Sequence, residues 1–256
     1  MLTHLERRYP RFSGLNLSWE TLEGLAKHNG PVGDPPWALA AVDADFPLEL
    51  QTFASLEAQV AALADDIAYD NHDIDDGLRA GLFDRDELLA IPGIAALWDE
   101  GARRFPDAGP DLLASELIRE QIGIMVNDLI GETTRRIKES GIATSNDARG
   151  AGEPLVGFSS AMAEHERGLK RFLYAHMYEH PKQEEVANAV RGVVAGLFTA
   201  YHDDPALMPD NWQASLPNEE PGRSRHIADF IAGMTDSFAI RAYRAQIGPI
   251  DLPEGF

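Results

Sequence analysis

The 256-residue sequence contains no cysteine. Disulfide bonds, thiolate nucleophiles and cysteine-based zinc sites are therefore excluded, and any bound metal must be held by histidine and carboxylate side chains. Cysteine-free composition fits a reducing compartment, so we expect a cytoplasmic protein. The sequence also has no signal-peptide pattern and no run of about 18 uninterrupted apolar residues, so no membrane contact is expected.

Basic residues are scarce. The 42 acidic residues outnumber the 22 basic ones, and the formal net charge is −20. A charge of this sign opposes binding to nucleic acid or to anionic lipid, so neither is expected as a partner.

Alternating β-branched residues between turns are also missing, whereas helical periodicity is widespread. We therefore predict an all-α fold. The composition, 44% hydrophobic, supports a sizeable core, and no repeat or low-complexity linker is visible. We expect a single all-α domain over residues 1–256.

Capping residues and apolar spacing predict the helix boundaries. Two long helices are expected at about 50–79 and 111–140, each ended by a glycine, and a capping box of Asp84 with Glu87 predicts a short helix. Other helices are expected at 19–27, 94–104, 160–179, 183–202 and 223–246. Residues 33–47 are interpreted as a loop, and residues 145–157 as a glycine-rich, mobile connection.

The first long helix contains ADDIAYDNHDIDDG, residues 64–77, with six aspartates in twelve consecutive positions. Aspartate is a weak helix former, and six of them cost about 3 kcal/mol relative to alanine. On a helical wheel one polar cluster lies opposite the apolar stripe; it contains Asp65, Tyr69, His72, Asp73 and Asp76. A solvated face is one interpretation, but the cost of aspartate favours a face that binds a metal or hydroxyl groups.

A second helix repeats this spacing. In GLKRFLYAHMYEH, residues 168–180, Lys170, Tyr174 and Tyr178 lie at i, i+4 and i+8. A lysine beside tyrosines suggests an anion site, although a surface lysine is the alternative. His176 and His180 could bind a metal only with a third ligand. No local Ser/His/Asp grouping and no phosphate-binding loop is present, so no catalytic residue is identifiable.

Two specific segments, LEAQVAALADDIAYDNHDIDDGLRAGL at 56–82 and IADFIAGMTDSFA at 227–239, resemble the deoxyguanosinetriphosphate triphosphohydrolase-like proteins of the HD superfamily. Residues 5–31 and 169–181 resemble the same family in the same order. The resemblance implies an HD-superfamily-type multi-helix bundle, commonly a homo-oligomer. It also implies metal-dependent hydrolysis of deoxynucleoside triphosphates to the deoxynucleoside and inorganic triphosphate, with Mn, Mg, Fe, Co or Zn as the metal.

The resemblance assigns roles residue by residue. Asp65 matches the last metal ligand of the family, with Asp66 as the alternative if the register is shifted by one. The other matched positions contact the sugar, the phosphates or the rest of the nucleotide in the family; they are Tyr69, Asp73, Lys170, Tyr174 and Tyr178.

The family's first metal histidine, its His-Asp pair and its catalytic histidines have no counterpart before the acidic helix. We interpret the chain as the C-terminal portion of a truncated family member, with Met1 as an internal methionine. A short non-catalytic relative that assembles with a complete homologue is the alternative. A site with a single aspartate should bind metal weakly, so we expect little or no triphosphohydrolase activity from the chain alone.

Overall fold

The computed structural model of the chain describes residues 2–253. Over this range the backbone forms α-helices and no β-sheet, which confirms the all-α prediction. The helices are α1 (Trp19–Ala26), α2 (Trp37–Asp45), α3 (Leu56–Ala80), α4 (Arg85–Leu88), α5 (Pro92–Arg104), α6 (Pro110–Ser140), α7 (Ser145–Arg149), α8 (Ser160–Leu173), α9 (Pro181–Asp203), α10 (Asp210–Ala214), α11 (Gly222–Ala232) and α12 (Asp236–Gln246). A π-helical turn, Tyr174–Tyr178, follows α8, and a 3-10 turn, Pro205–Leu207, follows α9.

The chain divides into two compact units. The first, Asn16–Tyr178, contains α1 to α8 and is called the first unit below; the second joins Met1–Leu15 to Glu179–Phe256. The prediction of a single domain covers residues 1–256 and so includes Met1 and residues 254–256, which lie outside the described residues. It stays a prediction.

The first unit is built on the two long helices, because α3 packs along α6, and α6 also packs on α5. One apolar cluster includes Ile74 of α3, Ile94 of α5 and Leu169 of α8, all fully buried. A second cluster contains Ile67 of α3 and Met125 of α6. These contacts fix α3 and α8 against each other, which positions the site described below.

Helix α3 differs from its prediction at the N-terminus. It begins at Leu56 rather than near residue 50, because the Ser55 side chain accepts a hydrogen bond from the Ala58 amide and caps the first turn. It ends as predicted at Gly81, whose φ of 62° suits a left-handed cap. The sequence predicts an apolar stripe on this helix that includes Val60, but Val60 is 44% exposed, whereas several polar residues of the helix are buried.

Two segments predicted as connections contain helices. Helix α2 lies inside residues 33–47, because the alanine-rich sequence after Pro36 favours a helix and Pro35 and Pro36 precede its first turn. Helix α7 lies inside residues 145–157, capped by a box in which Thr144 and Asp147 exchange hydrogen bonds. The backbone of Leu155 in that segment donates to the Gln59 side chain, which attaches the connection to α3.

Two predicted helices are interrupted. The helix expected at 160–179 is α-helical only to Leu173 and continues as the π-helical turn. The helix expected at 223–246 breaks into α11 and α12, because the Thr235 side chain caps a new helix by accepting from the Phe238 amide after Gly233. The Asp84/Glu87 capping box and the end of α6 at Gly141 are confirmed.

A buried ion cluster joins α1 to α7. Glu23 is fully buried and pairs with Lys27 at 3.1 Å and with Arg149 at 3.0 Å. Burial acts to raise the pKa of Glu23, but the hydrogen bonds from Arg149 and Lys27 outweigh it and lower the pKa overall. Lys27 also donates to the Thr52 hydroxyl at 2.8 Å, so the cluster holds the segment before α3 as well.

The second unit has its own core. Helix α9 packs on α11 and α12, and its buried Leu197 and Tyr201 meet Ile227 and Phe230 of α11. Among the helices of residues 2–253, none combines the length and the apolar content that crossing a bilayer requires.

Candidate functional site

A concave pocket of about 220 Å³ opens on the first unit where α3 faces α8 and the π-helical turn. The residues that line it come from both sides; they are Asp66, Tyr69, Asp70, Lys170, Leu173, Tyr174 and Tyr178. The acidic stretch of α3 therefore meets the lysine–tyrosine stretch of α8 and the π-helical turn, although about 100 residues separate the two in the chain. Four of the five residues matched to substrate contacts line this one pocket.

Three tyrosine side chains give the pocket an exposed aromatic surface. Tyr69 and Tyr174 are each about 60% exposed, and Tyr178 is 46% exposed. The rings of Tyr174 and Tyr178 lie 5.1 Å apart at an angle of 46°. Both belong to the π-helical turn, a local irregularity that is common at functional sites. Exposed rings around a concavity can stack on a flat ligand.

Asp73 is not among the lining residues, but the Tyr178 hydroxyl donates a short hydrogen bond to its carboxylate. Asp73 is only 9% exposed, so this bond partners a largely buried charge. Burial and the bond to Asp73 raise the pKa of Tyr178, so its hydroxyl stays protonated at neutral pH. The fifth predicted substrate residue is thus connected to the pocket through Tyr178.

Lys170 is the cation of the pocket, and two carboxylates already hold it. Its ammonium lies 2.5 Å from Glu166, one turn earlier on α8, and 3.2 Å from Asp66 on α3. Burial acts to lower the pKa of Lys170, but the hydrogen bond that it donates to Glu166 and the charges of Asp70, Glu166 and Asp66 raise it overall. Lys170 can therefore contact a phosphate only by giving up one of these partners.

Asp70 is the most buried carboxyl of the pocket, with 4% exposure. Its Oδ2 atom is inaccessible to solvent and has no hydrogen-bond partner. Burial raises the pKa of Asp70 to about 7; the Lys170 charge lowers it, and the charges of Glu166, Asp66 and Asp73 raise it further. The carboxyl therefore titrates near neutral pH.

Asp65 does not line the pocket. Its Oδ2 lies 3.8 Å from Nε2 of His28, which follows α1, and both side chains are about half exposed. The alternative ligand, Asp66, is engaged with Lys170. From Leu2 to Pro253, no three His, Asp or Glu side chains are grouped closely enough to hold a metal. The residues present do not make up the four-ligand metal site that the resemblance implies.

The alternative metal pair is not supported by local contacts. His176 Nδ1 lies 2.9 Å from the Phe172 carbonyl oxygen, and its ring stacks on the Phe172 ring. His180 caps α9, with Nδ1 accepting from the Lys182 amide. Each histidine thus has a structural partner of its own.

Sequence reasoning did not select Asp70, Glu166 or His28. Asp66 and Asp70 are four residues apart, as are Glu166 and Lys170, so helical spacing contained a signal for each pair. The wheel, however, shows which residues share a face and not which helix covers that face. His28 carried no local signal at all.

Comparison with known proteins identifies relatives of the chain. Residues 156–245 match the model of the phosphohydrolase-associated domain. A deoxyguanosinetriphosphate triphosphohydrolase-like protein of Caulobacter sp. (strain K31) is 47% identical over 250 residues, 95% of this chain and 64% of the relative. Relatives with the same name include those of Parvibaculum lavamentivorans, 46% identical over 95% of this chain and 63% of the relative, and of Bradyrhizobium sp. (strain ORS 278), 47% identical over 94% and 62%.

The match over residues 156–245 identifies a phosphohydrolase-associated domain in this part of the all-α chain. Over 95% of its own length the chain is a homologue of deoxyguanosinetriphosphate triphosphohydrolase-like proteins. The chain spans slightly less than two thirds of the length of these curated relatives.

Proposed function

We propose that the pocket binds the nucleoside part of a deoxynucleoside triphosphate. Hydrolysis of such a substrate by the family activity gives the deoxynucleoside and inorganic triphosphate. The observation that carries this proposal is the meeting of Tyr69, Tyr174 and Tyr178 around one concavity, with the Tyr178–Asp73 hydrogen bond at its edge. The names of the relatives support the same substrate class. About 220 Å³ is less than the roughly 300–1,000 Å³ of typical drug-sized pockets, so part of a nucleotide fits better than all of it.

Each lining residue has a role that its chemistry allows. Tyr69 and Tyr174 stack on flat faces of the ligand, since their rings are exposed and face the concavity. Tyr178 is held neutral and in place by Asp73, so the pair presents one hydroxyl and one carboxylate to a sugar hydroxyl. Lys170 meets a phosphate oxygen when it exchanges one of its carboxylate partners for it.

Binding is tested by titrating dGTP into the wild-type chain and into Tyr178→Phe, with calorimetric detection. Phenylalanine keeps the ring and removes only the hydroxyl that donates to Asp73. On this proposal the same hydroxyl accepts from the sugar hydroxyl, and a lost neutral hydrogen bond is worth about 0.5–1.5 kcal/mol, so we expect dGTP affinity to fall about 2- to 12-fold. Tyr9→Phe, which removes an exposed hydroxyl in the second unit, is the matched control. Equal affinities in all three proteins would contradict the assigned pocket.

We also propose Asp65 as one ligand of a divalent metal, with Asp66 as the alternative; the metal identity stays open between Mn, Mg, Fe, Co and Zn. The 3.8 Å approach of His28 to Asp65 supports Asp65 over Asp66, which already pairs with Lys170. Manganese titration should show weaker binding for Asp65→Ala than for the wild type. Exposed Asp99 of α5 provides the control, Asp99→Ala, and equal affinity of all three proteins would refute the ligand.

The chain alone is expected to release little or no inorganic triphosphate from dGTP. Its described residues supply fewer than three grouped metal ligands, and a site of that kind binds metal weakly. Chromatographic detection of triphosphate after incubation with dGTP and manganese tests this expectation, and robust release would contradict it.

The same observation on metal ligands favours a second candidate function, that of a non-catalytic regulatory homologue which assembles with a complete family member. Co-purification with a complete family member, and a change in its triphosphate release on adding this chain, would support that role. We further propose that the chain forms a homo-oligomer, as the resemblance implies; light scattering of the purified chain measures this, and a monomeric mass would contradict it.

A further inference from the structure

The unpartnered carboxylate oxygen of Asp70 has no explanation in the fold. Polar side-chain atoms this deeply buried nearly always have a hydrogen-bond partner, because desolvation without one costs free energy. Asp70 is 4% exposed, and its Oδ2 atom has no partner. Asp70 also lines the pocket, so its carboxyl group lies directly beneath the pocket surface, where a rotation of the side chain would bring the unpartnered oxygen to a bound ligand.

A cation is already present beside this carboxylate. The Lys170 ammonium lies among Asp66, Glu166 and Asp70, and its charge acts on Asp70. It does not, however, bond the Oδ2 atom. Because Asp66 and Glu166 engage the Lys170 ammonium, the Oδ2 atom of Asp70 remains available to a neutral N–H or O–H donor.

The aromatic residues indicate what carries that donor. Tyr69 and Tyr174 expose their rings around the same concavity, and aromatic rings stack well on nucleobases. A nucleoside stacked there presents N–H groups on its base and O–H groups on its sugar. Either kind of donor satisfies an ionised carboxylate.

We propose that Asp70 is a specificity-determining residue whose Oδ2 accepts a hydrogen bond from an N–H or O–H donor of the bound nucleoside. This inference rests on the proposed nucleotide pocket and extends it to the choice of nucleoside. A site with a buried acceptor rejects analogues that lack the donor, because the acceptor is then left unpaired. Because the pKa of Asp70 is raised, the nucleoside should bind more strongly above neutral pH, where the carboxyl is ionised and accepts the hydrogen bond.

The experiment compares three deoxynucleosides by calorimetry at pH 8 on the full chain. Deoxyguanosine carries both kinds of donor, 2′-deoxynebularine lacks all donors on the base, and 2′,3′-dideoxyguanosine lacks the 3′-hydroxyl. We expect the wild-type chain to bind one of the two analogues about 10- to 150-fold more weakly than deoxyguanosine. The analogue that loses affinity identifies the base or the sugar as the source of the donor.

Two variants test whether Asp70 causes this discrimination. Asp70→Leu removes the acceptor and should bind deoxyguanosine and the weaker analogue within about twofold of each other. Asp70→Asn keeps the shape of the side chain and replaces the charged acceptor by a neutral one, so it should retain only part of the discrimination. This variant provides the test if Asp70→Leu does not fold. Asp99→Asn, an exposed aspartate of α5, should behave as the wild type.

The outcomes separate this inference from the proposed function. If deoxyguanosine and dGTP bind but discrimination is absent from the wild type, or persists in both Asp70 variants, the role of Asp70 is overturned and the pocket assignment stands. If neither ligand binds the wild-type chain, both proposals fail.

Discussion

Replacing Asp70 with asparagine should change how the stability of the chain depends on pH. Burial raises the pKa of this carboxyl from its ordinary value of 3.8 to about 7. The folded state therefore holds the Asp70 proton more tightly than the unfolded state does. The favourable contribution of the protonated form to folding is complete below about pH 4 and is lost as the pH rises through about 7.

The magnitude follows from the size of the shift. A difference of about three pKa units corresponds to about 4 kcal/mol in the free energy of unfolding. Asparagine has nearly the same shape and does not ionise. The free energy of unfolding of Asp70→Asn minus that of the wild type should therefore rise by up to about 4 kcal/mol between pH 4 and pH 8.

Urea denaturation followed by circular dichroism at pH 4, 5, 6, 7 and 8 measures this difference. Other carboxylates also titrate over that range, but they are common to both proteins and cancel in the comparison. The amide introduces a constant offset that does not depend on pH. Asp99→Asn is the control, and its curve should run parallel to that of the wild type. A difference between Asp70→Asn and the wild type that stays constant with pH would refute the argument.

Two pairs of substitutions, each a test and its matched comparison, probe the packing of the first unit. Glu23→Gln leaves two buried cations without their counter-charge and should lower the free energy of unfolding by about 3–5 kcal/mol, whereas the exposed Glu20→Gln should change it little. Gly77→Ala places a methyl group against the buried ring of Phe83 and should destabilise by about 1–3 kcal/mol. Gly123→Ala meets no neighbour within 4 Å and should stabilise α6 by about 0.5–1 kcal/mol. Urea denaturation at neutral pH measures all four, and similar effects of the two glycine substitutions would contradict the packing described.

Helices with strong local signals were predictable from the sequence. Gly81 and Gly141 end α3 and α6 through left-handed caps, and the Asp84/Glu87 box begins α4, because each of these devices acts within a few residues. Helix α2 was missed because its prolines were interpreted as loop residues, although a proline before the first turn is compatible with a helix.

The site was predictable only in part. The matched tyrosines and Lys170 do meet at one pocket, since α3 and α8 pack together. The burial of Asp70 and the pairing of Asp66 with Lys170 depend on which helix covers that face of α3, and a single helical wheel has no information about its neighbour. The π-helical turn that carries Tyr174 and Tyr178 likewise has no local sequence pattern that distinguishes it from α-helix.

The central proposal is that a nucleotide binds in the pocket between α3 and α8. Fluorine NMR of the chain labelled with 3-fluorotyrosine measures directly where the nucleotide binds. The sequence contains six tyrosines, and three of them line the pocket: Tyr69, Tyr174 and Tyr178. The remaining three are Tyr9, Tyr201 and Tyr243. With resonances assigned by single Tyr→Phe variants, saturating dGTP should shift the three pocket signals and leave the other three in place. Shifts confined to the other tyrosines, or no shift at any tyrosine, would contradict the assignment of this pocket to a nucleotide.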